Sequence, residues 1–279
     1  MKKICGLVAV LCVTVSLIGC AGSNKQGLPN HIDFNKTEAA EVAMHAEEFR
    51  VMDSLAAVGQ LLAWQDGVAW VASDSLMADL PKEQLKSMKG WVAQGNLKEG
   101  FCVFYGKDSS GYYQLARYDF TPQGMNRATA RMEIPEGDLM ELVRMNDSAY
   151  QFFKNSGEMF NVKYNTYILK GENGYTFYAI PGSTSKYAIL GGAAKLTIDE
   201  NSWKVENLHK SPIAMEWNNV NKDSFPVRTS SMSDILNEAD FAQYYIYAKS
   251  MPDQYIKTRK YLIGLLRDVN GKMAIVVVK

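Results

Sequence analysis

The chain has 279 residues with 30 basic and 30 acidic side chains, so it carries no net charge and no basic footprint for nucleic acid. Apolar residues make up 47% of it, enough to bury a sizeable core as one large domain or two small ones. No repeat of fixed period and no low-complexity tract is present.

Lys2 and Lys3 precede an apolar run, Ile4 to Ile18, of 15 residues. A bilayer-spanning helix needs about 20 apolar residues. Thr14 and Ser16 dilute this shorter run, so it reads as the core of a signal peptide, residues 1–19. The run ends in Leu17-Ile18-Gly19-Cys20.

That tetrad resembles the lipobox of bacterial lipoproteins. The resemblance implies that Cys20 is lipidated and becomes the first residue of the mature chain. Three acyl chains hold a protein stably where one does not. Ala21 follows the cysteine and no aspartate adjoins it; in that family this goes with the outer membrane, and the absence of an acidic cluster goes with a periplasmic-facing body. Cys5 and Cys12 leave with the signal, so the mature fold keeps only Cys102 and depends on its core rather than on a disulfide. Loss of Lys2 and Lys3 from 30 basic residues leaves 28 against 30 acidic ones.

Residues 20–35 are polar, with Gly, Pro and Asn, and read as a lipidated tether. A single α+β globular domain is expected over 36–279, with a subdivision near 135. From Thr37 the spacing of Phe49, Met52, Leu55, Val58 and Leu62 predicts a helix. A second helical piece is expected after Gly67, and a short third turn begins at Pro81. Beyond Lys98 the period shortens to strands, with hairpins around Asp108-Ser109-Ser110-Gly111 and in 159–183. Between them residues 135–157 return to helical spacing, with Gly157 as the stop. The tract 186–209 gives another strand–turn–strand. Residues 240–251 fit helix or strand. The final hairpin carries Asn270-Gly271. Early helices followed by hairpins predict an α+β fold, N-terminal helices packed on a mainly antiparallel sheet.

The tracts 164–169, 178–184, 187–199 and 208–211, together with 69–77, resemble a recurring element of uncharacterised exported bacterial proteins. Ala193-Ala194-Lys195 stands where that group carries a polar-aromatic-basic triplet. The resemblance implies no activity and transfers no functional residue.

Candidate chemistry is sparse. Ser183 and Lys186 satisfy S-x-x-K, but in a loop rather than one helical turn apart, and without companion motifs. His31, His45 and His209 are far apart in sequence, so no metal set is expected. Cys102 alternates with Phe101 and Val103 as a small buried hydrophobe. Glu133, Glu136 and Asp138 precede a helix, where its dipole accounts for them. Gly191-Gly192 marks a bulge or a close backbone approach.

No catalytic, cofactor-binding or metal-binding residue is therefore assigned, no cofactor is expected, and lipidation at Cys20 is the only site. Eleven tyrosines (112, 113, 118, 164, 167, 175, 178, 187, 244, 245 and 247) populate the strand-rich half. Alternation should turn some outward, offering a face to a protein or glycan partner. The leading expectation is a membrane-anchored, non-catalytic binding or assembly module. An envelope-polymer hydrolase with unlocated carboxylates and a structural spacer are the alternatives.

Overall fold

The computed structural model describes residues 39–128, 131–172, 174–198, 202–217, 227–229, 232–251, 253–268 and 270–277. The segments expected to be a signal peptide and a tether, with Cys20 and His31, lie outside them, as does the side chain of His45. The chain divides into two compact units, Met1–Val42 and Ala43–Lys279. The second is an α+β unit.

Helix α1 runs from Ala39 to Asp79, 41 residues, and spans about 60 Å. The expected break at Gly67 does not occur. A glycine inside a helix costs about 1 kcal/mol, and packing on both sides of it outweighs that. The buried positions Met52, Ala56, Gly59, Leu62, Gln65, Ala69 (with Val68 beside it), Ala72 and Leu76 recur slightly under every 3.6 residues. The buried stripe therefore turns by about 120° along the helix. Each stretch of α1 accordingly meets a different neighbour.

After α2 (Lys82–Leu85) come β1 (Met88–Gly95), β2 (Gly100–Asp108), β3 (Gly111–Thr121), β4 (Gly124–Ala128) and β5 (Met132–Glu133). They form one sheet in the order β1-β2-β3-β4, with β5 on β3. Strand character begins at Met88, ten residues before the sequence pattern indicated. The Asp108–Gly111 hairpin is present, its turn held by the Asp108 carboxylate accepting from the Ser110 amide and hydroxyl. Period-two alternation divides β2: Cys102 and Phe104 face α1, while Val103 and Tyr105 face the opposite core.

That second core is built on α3 (Asp138–Asn155), which ends before Gly157 at φ +79°. Strands β6 (Tyr164–Gly171), β7 (Gly174–Pro181), β9 (Ala194–Ile198) and β10 (Trp203–Asn207) form the next sheet, in the order β10-β9-β7-β6. Phe153 of α3 packs on Phe177 of β7, and one cluster joins Val92 and Val103 to Ile168 and Leu196. A shared core thus crosses residue 135. Buried Asn146 of α3 donates to the Trp91 carbonyl and the Tyr105 hydroxyl.

Between β7 and β9, strand β8 (Tyr187–Gly191) leaves the layer and pairs with β11 (Pro212–Glu216). The local pattern read 186–209 as one continuous strand pairing; its hairpin proper is β9–β10. Finally α4 (Glu238–Tyr247) resolves the helix-or-strand ambiguity of 240–251 as a helix through Tyr247. It packs with α1 on β13 (Gln254–Lys257), β14 (Leu262–Arg267) and β15 (Met273–Val277), and β12 (Val227–Thr229) pairs with β13 at the edge of that sheet. Among the described residues every strand pairing is antiparallel except β12 with β13.

Gln254 sits at 0% exposure in β13, and among the described residues neither its side-chain Oε1 nor its Nε2 has a partner. An unsatisfied buried polar group costs about 1–3 kcal/mol. Gln254→Met, which keeps the shape, should raise stability in urea melts by about 1–2 kcal/mol; a loss of stability would show that the amide is satisfied.

Candidate functional site

A buried polar cluster lies where α1 and α4 cover the β6–β7–β9 layer. Tyr167 and Tyr178 stand directly opposite each other on β6 and β7. Each passes its hydroxyl to a helix carboxylate: Tyr167 to Asp66 of α1 at 2.8 Å, Tyr178 to Glu238 of α4 at 3.4 Å. Glu238 also takes Lys195 of β9 at 3.3 Å. Asn165 donates a second hydrogen bond to Asp66 at 2.9 Å.

Burial raises the Asp66 pKa above the usual carboxylate range, and the hydrogen bonds from Tyr167 and Asn165 only partly offset it. Burial likewise pushes the Tyr167 hydroxyl up, with the Asp66 charge adding to the shift. A raised carboxyl binds a proton in the folded chain that the unfolded chain has already released. Stability therefore falls as pH rises from the ordinary carboxylate value, about 4, through the raised one. Asp66→Asn carries no such proton. Its stability relative to the parent should increase as pH goes from about 3 to 7, read by urea melts across that range; a difference independent of pH would refute the assignment.

At the other end, Asn237 and Asp240 form a reciprocal capping box at the start of α4. Asp240 Oδ1 lies 3.0 Å from His209 Nε2, and Asp240 is 0% and His209 1% exposed. The Ala193 amide donates to His209 Nδ1 at 3.2 Å, which places the ring proton on Nε2, directed at Asp240. Both ring nitrogens are engaged within the core, so the pair anchors α4 to the layer and presents no base to solvent.

One helical turn further, α4 closes the inner edge of β8. Gln243 Oε1 accepts from the Gly191 amide at 2.8 Å, while its amide donates to the Gly191 and Ile189 carbonyls. Tyr247 donates to the Ile189 carbonyl at 3.3 Å. Positions i and i+4 of a helix are about 6 Å apart along its axis, close to the two-residue repeat of a strand. The side chains of α4 thus replace a neighbouring strand.

The sequence candidates distribute as follows. Ser183 lies in the β7–β8 loop and donates to Tyr247 at 2.5 Å, while Lys186 turns to Glu216 at 3.3 Å; the S-x-x-K pair is not assembled. Gly191 and Gly192 both have positive φ, +69° and +68°. A Cβ on them would meet the Ser211 carbonyl and Pro212 at 2.8 Å, so the close backbone approach is present. Cys102 is buried on β2 and burial pushes its thiol up. Asp138 lies in the first turn of α3, as does Glu141, whereas Glu136 pairs with Arg144 at 2.7 Å and Glu133 belongs to β5.

The tyrosines require correction. Tyr113, Tyr118, Tyr167, Tyr175, Tyr178, Tyr244 and Tyr247 are buried, and Tyr112, Tyr164, Tyr187 and Tyr245 are half-buried. Layers on both faces of the sheets take them in, so they furnish hydroxyl anchors rather than an exposed aromatic face. Asp66, Glu238, Asp240 and Gln243 were not singled out from sequence. Only the Asn237-x-x-Asp240 spacing carried a readable signal, that of a helix start.

Among the described residues no group of three or more His, Cys, Asp or Glu side chains converges to hold a metal, and no helix is long and apolar enough to cross a membrane. The arrangement defines an α+β unit whose polar cluster binds its own helices to its strands. Searches of protein-family models, curated proteins and solved structures find no match to the chain.

Proposed function

We propose that this chain is a lipid-anchored envelope protein, held through Cys20 in the outer membrane with its body facing the periplasm. In this reading the folded unit is a non-catalytic binding or assembly module. The observation that carries it is the tetrad Leu17-Ile18-Gly19-Cys20 at the end of a short apolar run behind Lys2 and Lys3. The site geometry supports the second half, because His209, Asp240, Gln243 and Ser183 spend their polar atoms on α4 and β8.

Mass spectrometry of the chain expressed with its leader tests the anchor. A mature protein beginning at an acylated Cys20 is expected, and an unmodified thiol there would refute it. Crosslinking in intact envelopes followed by capture should recover one specific protein or glycan; background alone would count against a binding role.

A further inference from the structure

The exposed side of α1 changes character along the helix. In the first half it carries Glu47, Arg50, Asp53, Ser54 and Gln60, with Val51 as its one exposed large apolar side chain among the described residues. In the second half the outward residues include Gly67, Trp70, Val71 and Met77, and Asp74 is the only charge between Asp66 and Asp79. Trp70 is 69%, Met77 61% and Val71 48% exposed. Core packing does not demand these residues, since the buried stripe has turned to the other side of the helix. Leu97, 50% exposed, lies in the β1–β2 turn whose glycines, Gly95 and Gly100, pack against the Trp64 ring.

Asp74, exposed, lies within this face, and the exposed charges that follow the helix in the chain are mostly positive. Lys82, Lys86, Lys89 and Lys98 are exposed, against Glu83 and Glu99, and among the described residues none of the six forms an ion pair. Asp79, at the helix end, is neutralised by Arg127.

We infer that the second half of α1 lies against the lipid bilayer, with Trp70, Val71 and Met77 entering the boundary between headgroups and acyl chains and the lysines meeting lipid phosphates. An indole is apolar in body and polar at one edge, which suits that boundary, and lysines are drawn to an anionic leaflet. The inference rests on the lipid anchor proposed above. Cys20 precedes Ala39 by nineteen residues, a contour of about 60 Å at full extension. That matches the length of α1, so a tethered body can lay any part of the helix on the membrane. The tether also keeps the local lipid concentration high, and a contact too weak to recruit a free protein then suffices.

The test uses the mature full-length protein in phosphatidylethanolamine vesicles with and without phosphatidylglycerol. A polarity-sensitive fluorophore is placed through Met77→Cys, and in a second protein through Ile213→Cys; Cys102 is buried and Cys20 is checked for lipid by mass. Quenching by acyl-chain-brominated lipid should be several-fold stronger at 77 than at 213, and stronger still with the anionic lipid. Trp70→Glu should reduce it several-fold. Equal quenching at both positions on protein whose Cys20 is lipidated overturns the inference while leaving the anchor intact. Shielding at 77 that depends on protein density and not on the quencher overturns it in favour of a second copy. If the mass shows no lipid, the anchor fails, and the face is tested alone by flotation with anionic vesicles. Flotation abolished by Trp70→Glu upholds the face; no flotation overturns it.

Discussion

Gly59→Leu is expected to destabilise the folded unit more than any other single change in α1. A Cβ at Gly59 would come within 2.4 Å of Phe241 Cβ and 2.8 Å of both the Ala242 nitrogen and the Glu238 carbonyl oxygen. Two of those three atoms are backbone, so no rotamer change relieves the clash; α1 and α4 must separate. Separation opens the contacts of Met52 and Ala56 with Phe241 and Tyr244. Overpacking against backbone costs about 3 kcal/mol or more, which for a unit of this size lowers the melting temperature by about 6–12 °C. Gly67, eight residues on in the same helix, supplies the control. Nothing lies within 4 Å of its Cβ position, so Gly67→Ala should stabilise by about 0.5–1 kcal/mol through helix propensity alone. Thermal and urea melts of the two variants must shift in opposite directions; a shift of the same sign would refute the crossing.

Asp240→Ala should cost about 2–4 kcal/mol. The carboxylate accepts from His209 Nε2 on one oxygen and from the Asn237 amide on the other. Its removal leaves two buried donors without that acceptor and removes half of the capping box of α4. Asp240→Asn keeps one acceptor oxygen and should lose about half as much. Because α4 also covers the inner edge of β8, amide exchange at Ile189 and Gly191 should accelerate together with that at Asn237. A cost under about 1 kcal/mol, or protection at β8 that is unchanged, would show that α4 is held by its apolar contacts alone.

These two sites differ in how far the sequence announces them. Asn237-x-x-Asp240 carries the spacing of a helix start, yet nothing local points Asp240 at a histidine thirty-one residues earlier. Gly59 sits inside a clear helical pattern, and its neighbour on α4 is about 180 residues away. The elements with strong local chemistry were legible. Asp108 to Gly111 closes a hairpin through one carboxylate, Gly157 ends α3 at a positive φ, and the loop before β15 is held by Asp268, which accepts from the Asn270 and Lys272 amides. The run Gln243 to Tyr247 was ambiguous because tyrosine and isoleucine favour strands, and the helix was decided by what its turns touch: Ile189 and Gly191 on one side, Met52 and Ala56 on the other.

By itself the amino-acid order determined the period of each segment, the turns that end them and the α+β class, since these depend on side chains a few residues apart. It also carries the tetrad Leu17-Ile18-Gly19-Cys20, four adjacent residues on which the proposed lipid anchor rests. Only the tertiary structure decided that Gly67 lies within a continuous helix, that β8 abandons its neighbours for β11, and that the tyrosines turn inward to hold helix carboxylates. Those outcomes depend on which surfaces meet, and the energy of burying Tyr167 or Gly59 lies in partners far along the chain that no local window contains.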